Sequence, residues 1–359
     1  MITHFDGQDD ALRDLLARVP YLSLHAVAAS CRRLRDTIGS LQFRVQRRDS
    51  GCAESAIVLV GGTESIASDA LSILYRGKWV RIAALPRPRI NPIVTVFRDK
   101  LIVLGGRNEK NKTTAAVVGF DFMTRRWQEL PPLRKEREGA ACGVVGGKII
   151  VAGGRSRAGS TLTTVEQFDP ETCQWSYAPS LPQKVSSAAY GVIDGKLYVA
   201  GGHAPTLRSV TCLQIYDGVS WSMGPSLSVP LSHPKGPGVV LDGVLHMMFD
   251  NYGRPPLAGL HHLVFNPRTG LWTSSAVVQE MQFSSARLIV ATPRGELAAI
   301  EFPLPILFTG QARRDTTLHV FRPDPAVPAS NDGEALRWQE EAVPGEVCPF
   351  SGATLACLG

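Results

Sequence analysis

Residues 196–203 read "KLYVAGGH": a lysine, a short apolar run, two glycines and a histidine. A glycine pair after a strand can cradle a phosphate, or it can be one copy of an architectural repeat. The rest of the chain decides. The pattern recurs as "AIVLVGG" (56–62), "KLIVLGG" (100–106) and "KIIVAGG" (148–154), placing the second glycines at Gly62, Gly106, Gly154 and Gly202 in nearly equal steps. The nearest approach to a nucleotide loop, "GGK" at 146–148, has Cys142 where a glycine is required and no Ser or Thr after Lys148. It aligns with "DGK" at 194–196, so both read as two-residue hairpin turns with positive φ. The glycines serve backbone geometry.

Two further markers run in phase. An aromatic residue closes a β-like segment at Phe120, Phe168, Tyr216 and Phe265, the first three equally far beyond Gly106, Gly154 and Gly202. The six tryptophans, Trp79, Trp127, Trp175, Trp221, Trp272 and Trp338, fall one to a unit. A further β-like run and a tight turn precede the glycine pairs, as in "AACGVVGGK" (140–148) and "AAYGVIDGK" (188–196). Each unit therefore holds four strands, with large aromatics filling the wedge between neighbouring units.

Apolar run, Gly-Gly, aromatic and then tryptophan, at a period of about fifty residues, resembles the kelch repeat over about Ala53 to Gly359. Two units depart from the pattern: "LHMMFDN" (245–251) and "ELAAIEF" (296–302) lack glycines. The first unit lacks its leading strand, while "FSGATLACLG" (350–359) looks like such a strand with nothing after it. The expected fold is all-β: a six-bladed kelch β-propeller over 53–359, closed by the C-terminal strand.

Composition agrees. Of 359 residues, 44% are hydrophobic and only 19% charged, with 34 Gly and 25 Pro, a mixture suited to many short strands and turns. The net charge of +6 falls short of a nucleic-acid-binding tail or a polybasic anchor. Seven scattered cysteines with no C-x-x-C indicate neither a disulfide framework nor a zinc knuckle. The opening "MITHFDGQDD" is not a secretory signal, so the Asn111 sequon reads as chance and the expected location is cytoplasmic. "RRLR" at 32–35 leaves nuclear entry open but reads as a solvated helix face, not an RNA contact.

Residues 1–52 carry none of the repeat markers. Positions 11, 12, 15, 16 and 19 share one helical face that ends at Pro20; positions 24, 27, 28, 31, 34 and 38 share another, between Ser23 as N-cap and Gly39 as terminator. The string "LLARVPYLSLHAVAASCRRLRDTIGSLQF" resembles an F-box, without its usual opening Leu-Pro. That resemblance implies that Leu15, Leu16, Val19, Pro20, Leu24, Val27, Cys31 and Leu34 engage the Skp-type adaptor of a cullin ubiquitin ligase. The alternative is a helical cap folded onto the propeller.

Kelch-like propellers bind partners through loops on one face. Here these include Arg107, Asn108, Arg155, Arg157, His203, Asn251 and Tyr252 after the glycines, and Arg89, Arg137 and His233 before the inner strands. Arg89 and Arg137, like Arg107 and Arg155, are one repeat apart, so they are expected to gather on one basic rim suited to an acidic or phosphorylated target. No catalytic, cofactor or metal set stands out. His261 and His262 are chain neighbours that point to opposite faces of a strand, and Asp242 precedes His246 without the acidic residue an iron-binding pattern needs at position 238, which is Gly. The implied role is a non-enzymatic, substrate-recruiting subunit of a ubiquitin ligase. A kelch scaffold without ligase docking, and a propeller enzyme, are the alternatives.

Overall fold

The computed structural model describes residues 6–62, 67–205, 209–227, 233–234, 237–251, 259–276, 287–292, 297–301, 317–323, 336–342 and 352–357. Four helices come first: α1 (Asp6–Ala17), α2 (Tyr21–Ser30), α3 (Arg32–Gly39) and α4 (Leu41–Asp49). The single helix expected across residues 24–38 is broken at Cys31, whose backbone is extended (φ −156°, ψ 162°). The Ser30 hydroxyl donates to the Val27 carbonyl at 2.7 Å, competing with the helical ladder just before the break. The kink lets Leu24 on α2 and Ile38 on α3 enter one apolar core. Pro20 caps the start of α2 rather than simply ending α1, and the Ser40 side chain accepts from the Phe43 amide to start α4, a helix the periodicity did not reveal.

Every named strand pairs antiparallel with its neighbours. β1 (Ser55–Val60), β2 (Ser68–Tyr75) and β3 (Lys78–Arg89) lead, followed by β4 (Ile93–Phe97), β5 (Lys100–Leu104), β6 (Val117–Asp121) and β7 (Arg126–Leu130) as one sheet. The next sheet is β8 (Ala141–Val145), β9 (Lys148–Ala152), β10 (Val165–Asp169) and β11 (Gln174–Ala178); then come β12 (Ala189–Ile193), β13 (Lys196–Ala200), β14 (Leu213–Tyr216) and β15 (Trp221–Met223). β16 (His233–Pro234), β17 (Val239–Leu241), β18 (Val244–Asn251), β19 (Gly259–Asn266) and β20 (Leu271–Ala276) share a five-stranded sheet. β21 (Arg287–Ala291), β22 (Leu297–Glu301), β23 (Thr317–Pro323) and β24 (Leu336–Ala342) make another.

Those five blades are complete in themselves, whereas β1–β3 become four-stranded only by taking β25 (Gly352–Cys357) from the far end of the chain. The register runs from Ser55↔Cys357 to Val60↔Gly352. Around the axis the inner strands touch in turn: β25 with β4, β4 with β8, β8 with β12, β12 with β17, β17 with β21, and β21 with β25. The molecule is an all-β propeller fronted by helices.

The sequence markers acquire positions. Phe120 lies opposite Trp127, Phe168 opposite Trp175, Tyr216 opposite Trp221 and Phe265 opposite Trp272 on the two outer strands of their blades. Leu74 takes the aromatic's place beside Trp79. The indole N–H of Trp175, Trp221 and Trp272 donates to the carbonyl of Pro131, Pro179 and Pro225 at 2.8, 2.8 and 3.0 Å. Each of these prolines follows the last strand of the preceding blade. In these three blades the tryptophan thus joins its neighbour by a hydrogen bond as well as by apolar contact, whereas the buried indole nitrogens of Trp79 and Trp127 have no partner among the described residues.

The glycine pair is explained by close approach of backbones. A Cβ on Gly153 would lie 2.5 Å from the Val185 carbonyl oxygen, and one on Gly154 would lie 2.6 Å from that of Glu138, both at positive φ. The "GGK" and "DGK" turns have positive φ at Gly146, Gly147, Asp194 and Gly195.

The helices do not stand apart. Leu16, Tyr21, Leu24, Ile38 and Phe43 share a core with Ala56, Val58, Val60, Leu101, Phe120 and Phe122. Glu54 is the polar junction: it accepts from the Tyr21 amide at 2.7 Å and from the Tyr75 hydroxyl at 2.8 Å. The buried guanidinium of Arg47 donates to the carbonyls of Ala17, Val19 and Cys52 at 2.8, 2.7 and 2.9 Å, satisfying acceptors at the end of α1 and in the segment after α4.

Candidate functional site

The loops after the glycine pairs repeat one local structure in three consecutive blades. Ile90 bridges Arg107, which bridges Thr113; Glu138 bridges Arg155, which bridges Thr161; Ser186 bridges His203, which bridges Ser209. Each set lies one repeat beyond the one before. The backbone N–H of Arg107, Arg155 and His203 donates to the carbonyl of Ile90, Glu138 and Ser186 at 2.7, 2.9 and 2.8 Å. Residues 107, 155 and 203 therefore occupy equivalent places, as the spacing implies.

Their charges are handled differently. Arg107 meets Glu138 at 2.8 Å and donates to Asn111 Oδ1 at 2.6 Å. One repeat later the place of Glu138 is taken by Ser186, and no ion pair to Arg155 occurs among the described residues. Arg137 is fully buried. Its Nη1 donates to the carbonyls of Gly153 and Thr164, each at 2.8 Å, and its Nη2 pairs with the equally buried Glu166 at 2.5 Å. Glu166 also accepts from the amides of Arg134 and Lys135 at 2.6 and 3.1 Å.

The expected rim is corrected accordingly. Arg137 is a core residue, drawn inward by a carboxylate that needs a counter-ion. Arg89 and His203 are buried too, at 5% and 9% exposure. Arg107, Asn108 and Arg155 are half-buried and Arg157 is exposed. Asn108 is a loop organiser, its Oδ1 accepting from the Lys110 and Lys112 amides at 3.0 Å each. His233 and Asn251 lie on β16 and β18, but their side chains, and Tyr252 altogether, lie outside the described residues.

Comparison with known proteins matches this repeat structure to a family. The model of the KLHDC2/KLHL20/DRC7 kelch-repeats domain matches residues 51–235 and again 93–282, together more than half of the chain. The chain belongs to that kelch-repeat family. Among solved structures, one titled "Structure of YjhT" superposes with a TM-score of 0.53 at 17% identity, covering 78% of this chain and 97% of that one, a likeness of fold. No curated protein matches the sequence.

The kelch matches begin just after α4. In front of them, the eight residues singled out by the F-box resemblance divide. Leu16 and Leu24 are buried in the core shared with the propeller, and Val19, Val27 and Leu34 pack against it. Pro20 is half-buried, and Cys31 and Leu15 are exposed, Leu15 at 69%. Much of that set is therefore occupied by the propeller. The exposed apolar surface of the helices is instead Leu15 on α1 with Leu41 and Val45 on α4, two helices held side by side by a contact from Gln46 to Asp14.

One feature of the kelch propeller is not visible between chain neighbours. The register of β18 and β19 stacks His246 on His262, ring centroids 5.2 Å apart, with Nδ1 of one 3.1 Å from Nε2 of the other. Burial, reinforced by the neighbouring imidazole, lowers the His262 pKa from 6.5 to about 4; burial also lowers that of His246, against the opposing pull of Asp242. Among the described residues no group of three or more His, Cys, Asp or Glu could hold a metal. Through its burial the pair enters the fold's acid sensitivity. Because His262 binds its proton more weakly folded than unfolded, its contribution is whole above about pH 6.5 and is lost as pH falls toward 4. The expected loss across that window is on the order of 2–3 kcal/mol. Thermal melts at pH 7 and pH 4 check it: His262→Gln should shrink the acid-induced fall in melting temperature.

Proposed function

We propose that this kelch protein is a substrate-recruiting receptor: its loop face holds a target protein and its helices dock a Skp-type adaptor of a cullin ubiquitin ligase. Transfer chemistry then belongs to partner proteins, and the receptor acts by proximity. The ring is read as six-bladed, one blade for each tryptophan-bearing outer strand. The observation that carries target binding is the repeated loop structure at residues 107, 155 and 203, which sets Arg, Arg and His at equivalent places in three consecutive blades. Half-buried Arg155 and exposed Arg157 then face an acidic or phosphorylated segment. For the adaptor, the supporting features are the F-box-like string in front of the repeats and the apolar surface of Leu15, Leu41 and Val45.

Affinity capture with the intact chain tests this. Leu15→Asp combined with Val45→Asp should abolish adaptor capture while leaving the melting temperature within about 1–2 °C of wild type, since both residues are solvent-facing. Arg155→Ala with Arg157→Ala should lose targets and keep the adaptor. A second reading, a kelch scaffold whose helices simply cap the propeller, is favoured by the burial of Leu16 and Leu24 in the shared core. Capture of targets with no adaptor from wild type would select it.

A further inference from the structure

Three consecutive blades treat one buried position in three ways. In the β8–β11 blade, Arg137 is matched by Glu166. One repeat later the same two positions are Val185 and Gln214; the Gln183 backbone N–H donates to Gln214 Oε1 at 2.8 Å, and the Gln214 side-chain nitrogen has no partner among the described residues. There the cation and the full negative charge have gone together. One repeat earlier the positions are Arg89 and Val118, and Thr164 is replaced by Ala116. Val118 occupies the register place of Glu166: it lies opposite Val103 and Glu129, as Glu166 lies opposite Val151 and Tyr177. The β4–β7 blade has thus kept the arginine without its carboxylate.

Arg89 is 5% exposed, and among the described residues its one side-chain hydrogen bond runs to the carbonyl of the adjacent Pro88 at a long 3.4 Å. No carboxylate pairs with it among the described residues. Burial, and then the charge of nearby Arg87, lower its pKa. Ile90, the next residue, bridges Arg107, so Arg89 enters the same loop cluster. A desolvated guanidinium without a counter-ion is costly unless an anion arrives from outside.

We infer that Arg89 is the anchor of the loop face, a preformed anion seat that takes a carboxylate or phosphate carried by an acidic peptide segment. This rests on the proposed target-binding role of that face and names the chemistry it selects. Arg155 and Arg157 then contribute peripheral charge, while the Arg107–Glu138 pair is internally neutral.

The test is titration calorimetry on the intact chain at constant ionic strength. One probe is inorganic phosphate; the other is a terminally blocked tetraglutamate peptide, and the two arms distinguish the anions. At least one should bind wild type saturably. Arg89→Met should weaken it at least tenfold, and so should Val118→Glu, which supplies the internal carboxylate seen at Glu166; Arg81→Ala, on the outer strand, should leave it unchanged. Without probe, Arg89→Met should melt at or above the wild-type temperature. If Arg155→Ala with Arg157→Ala weakens binding while Arg89→Met and Val118→Glu do not, the anchor is overturned and the loop-face reading stands. No saturable binding of either probe to wild type overturns the anchor, and target capture then judges the face separately. A large fall in the melting temperature of Arg89→Met would show that the arginine is internally paired, and would overturn it as well.

Discussion

Arg137→Met should lower the unfolding free energy by about 3–5 kcal/mol, the range expected when one partner of a buried ion pair is removed. Both Arg137 and Glu166 are fully buried. Without the guanidinium, the Gly153 carbonyl loses its arginine donor, the Thr164 carbonyl keeps the Gly153 amide alone, and Glu166 keeps, among the described residues, the backbone amides of Arg134 and Lys135 against a buried negative charge. The companion variant Arg137→Val with Glu166→Gln should recover most of the loss, because the next blade uses that combination at Val185 and Gln214. Urea unfolding of the wild type and the two variants measures both. A double variant no better than Arg137→Met would mean that the cost lies in lost packing rather than in the stranded carboxylate.

Removing residues 352–359 should have an effect on the scale of the whole fold. The β25 strand contributes six register pairs to β1, whose residues Ala56 to Val60 are fully buried. A ladder of roughly five hydrogen bonds at about 0.5–1.5 kcal/mol each is comparable with a typical domain stability of about 5–15 kcal/mol. Its loss also leaves an apolar strand with an open edge, the geometry that recruits other chains. The truncated protein should elute in the void volume on size exclusion and lack a cooperative melt; a monomer melting as wild type would contradict closure by this strand. The same edge neighbours the helices through Ala56, Val58 and Val60, so loss of residues 1–52 should destabilise the propeller too.

Arg137 lies elsewhere than its place in the linear sequence suggests. Its spacing from Arg89 shows that the two share a place in the repeat, but not whether that place is a rim or a core. What separates them stands on the third strand of each blade, Glu166 on β10 and Val118 on β6. In principle the signal was available: aligning those third strands as carefully as the glycines sets a carboxylate beside one arginine and an apolar side chain beside the other. The helical segment teaches a similar lesson. Its apolar periodicity marks buried faces, and Leu16 and Leu24 are indeed buried, but periodicity does not say against what.

By itself the sequence determined the blade repeat, the hairpin turns, the shared phase of aromatic and tryptophan and the strand shared between the two ends of the propeller. Those features follow from short-range demands, positive φ, alternation of faces and turn chemistry, which each residue meets with its immediate neighbours. Only the tertiary structure decided which charges are neutralised, which helical faces remain free and which histidines meet. Each of these depends on which groups are brought together from distant parts of the chain, because desolvation and Coulombic pairing act through space.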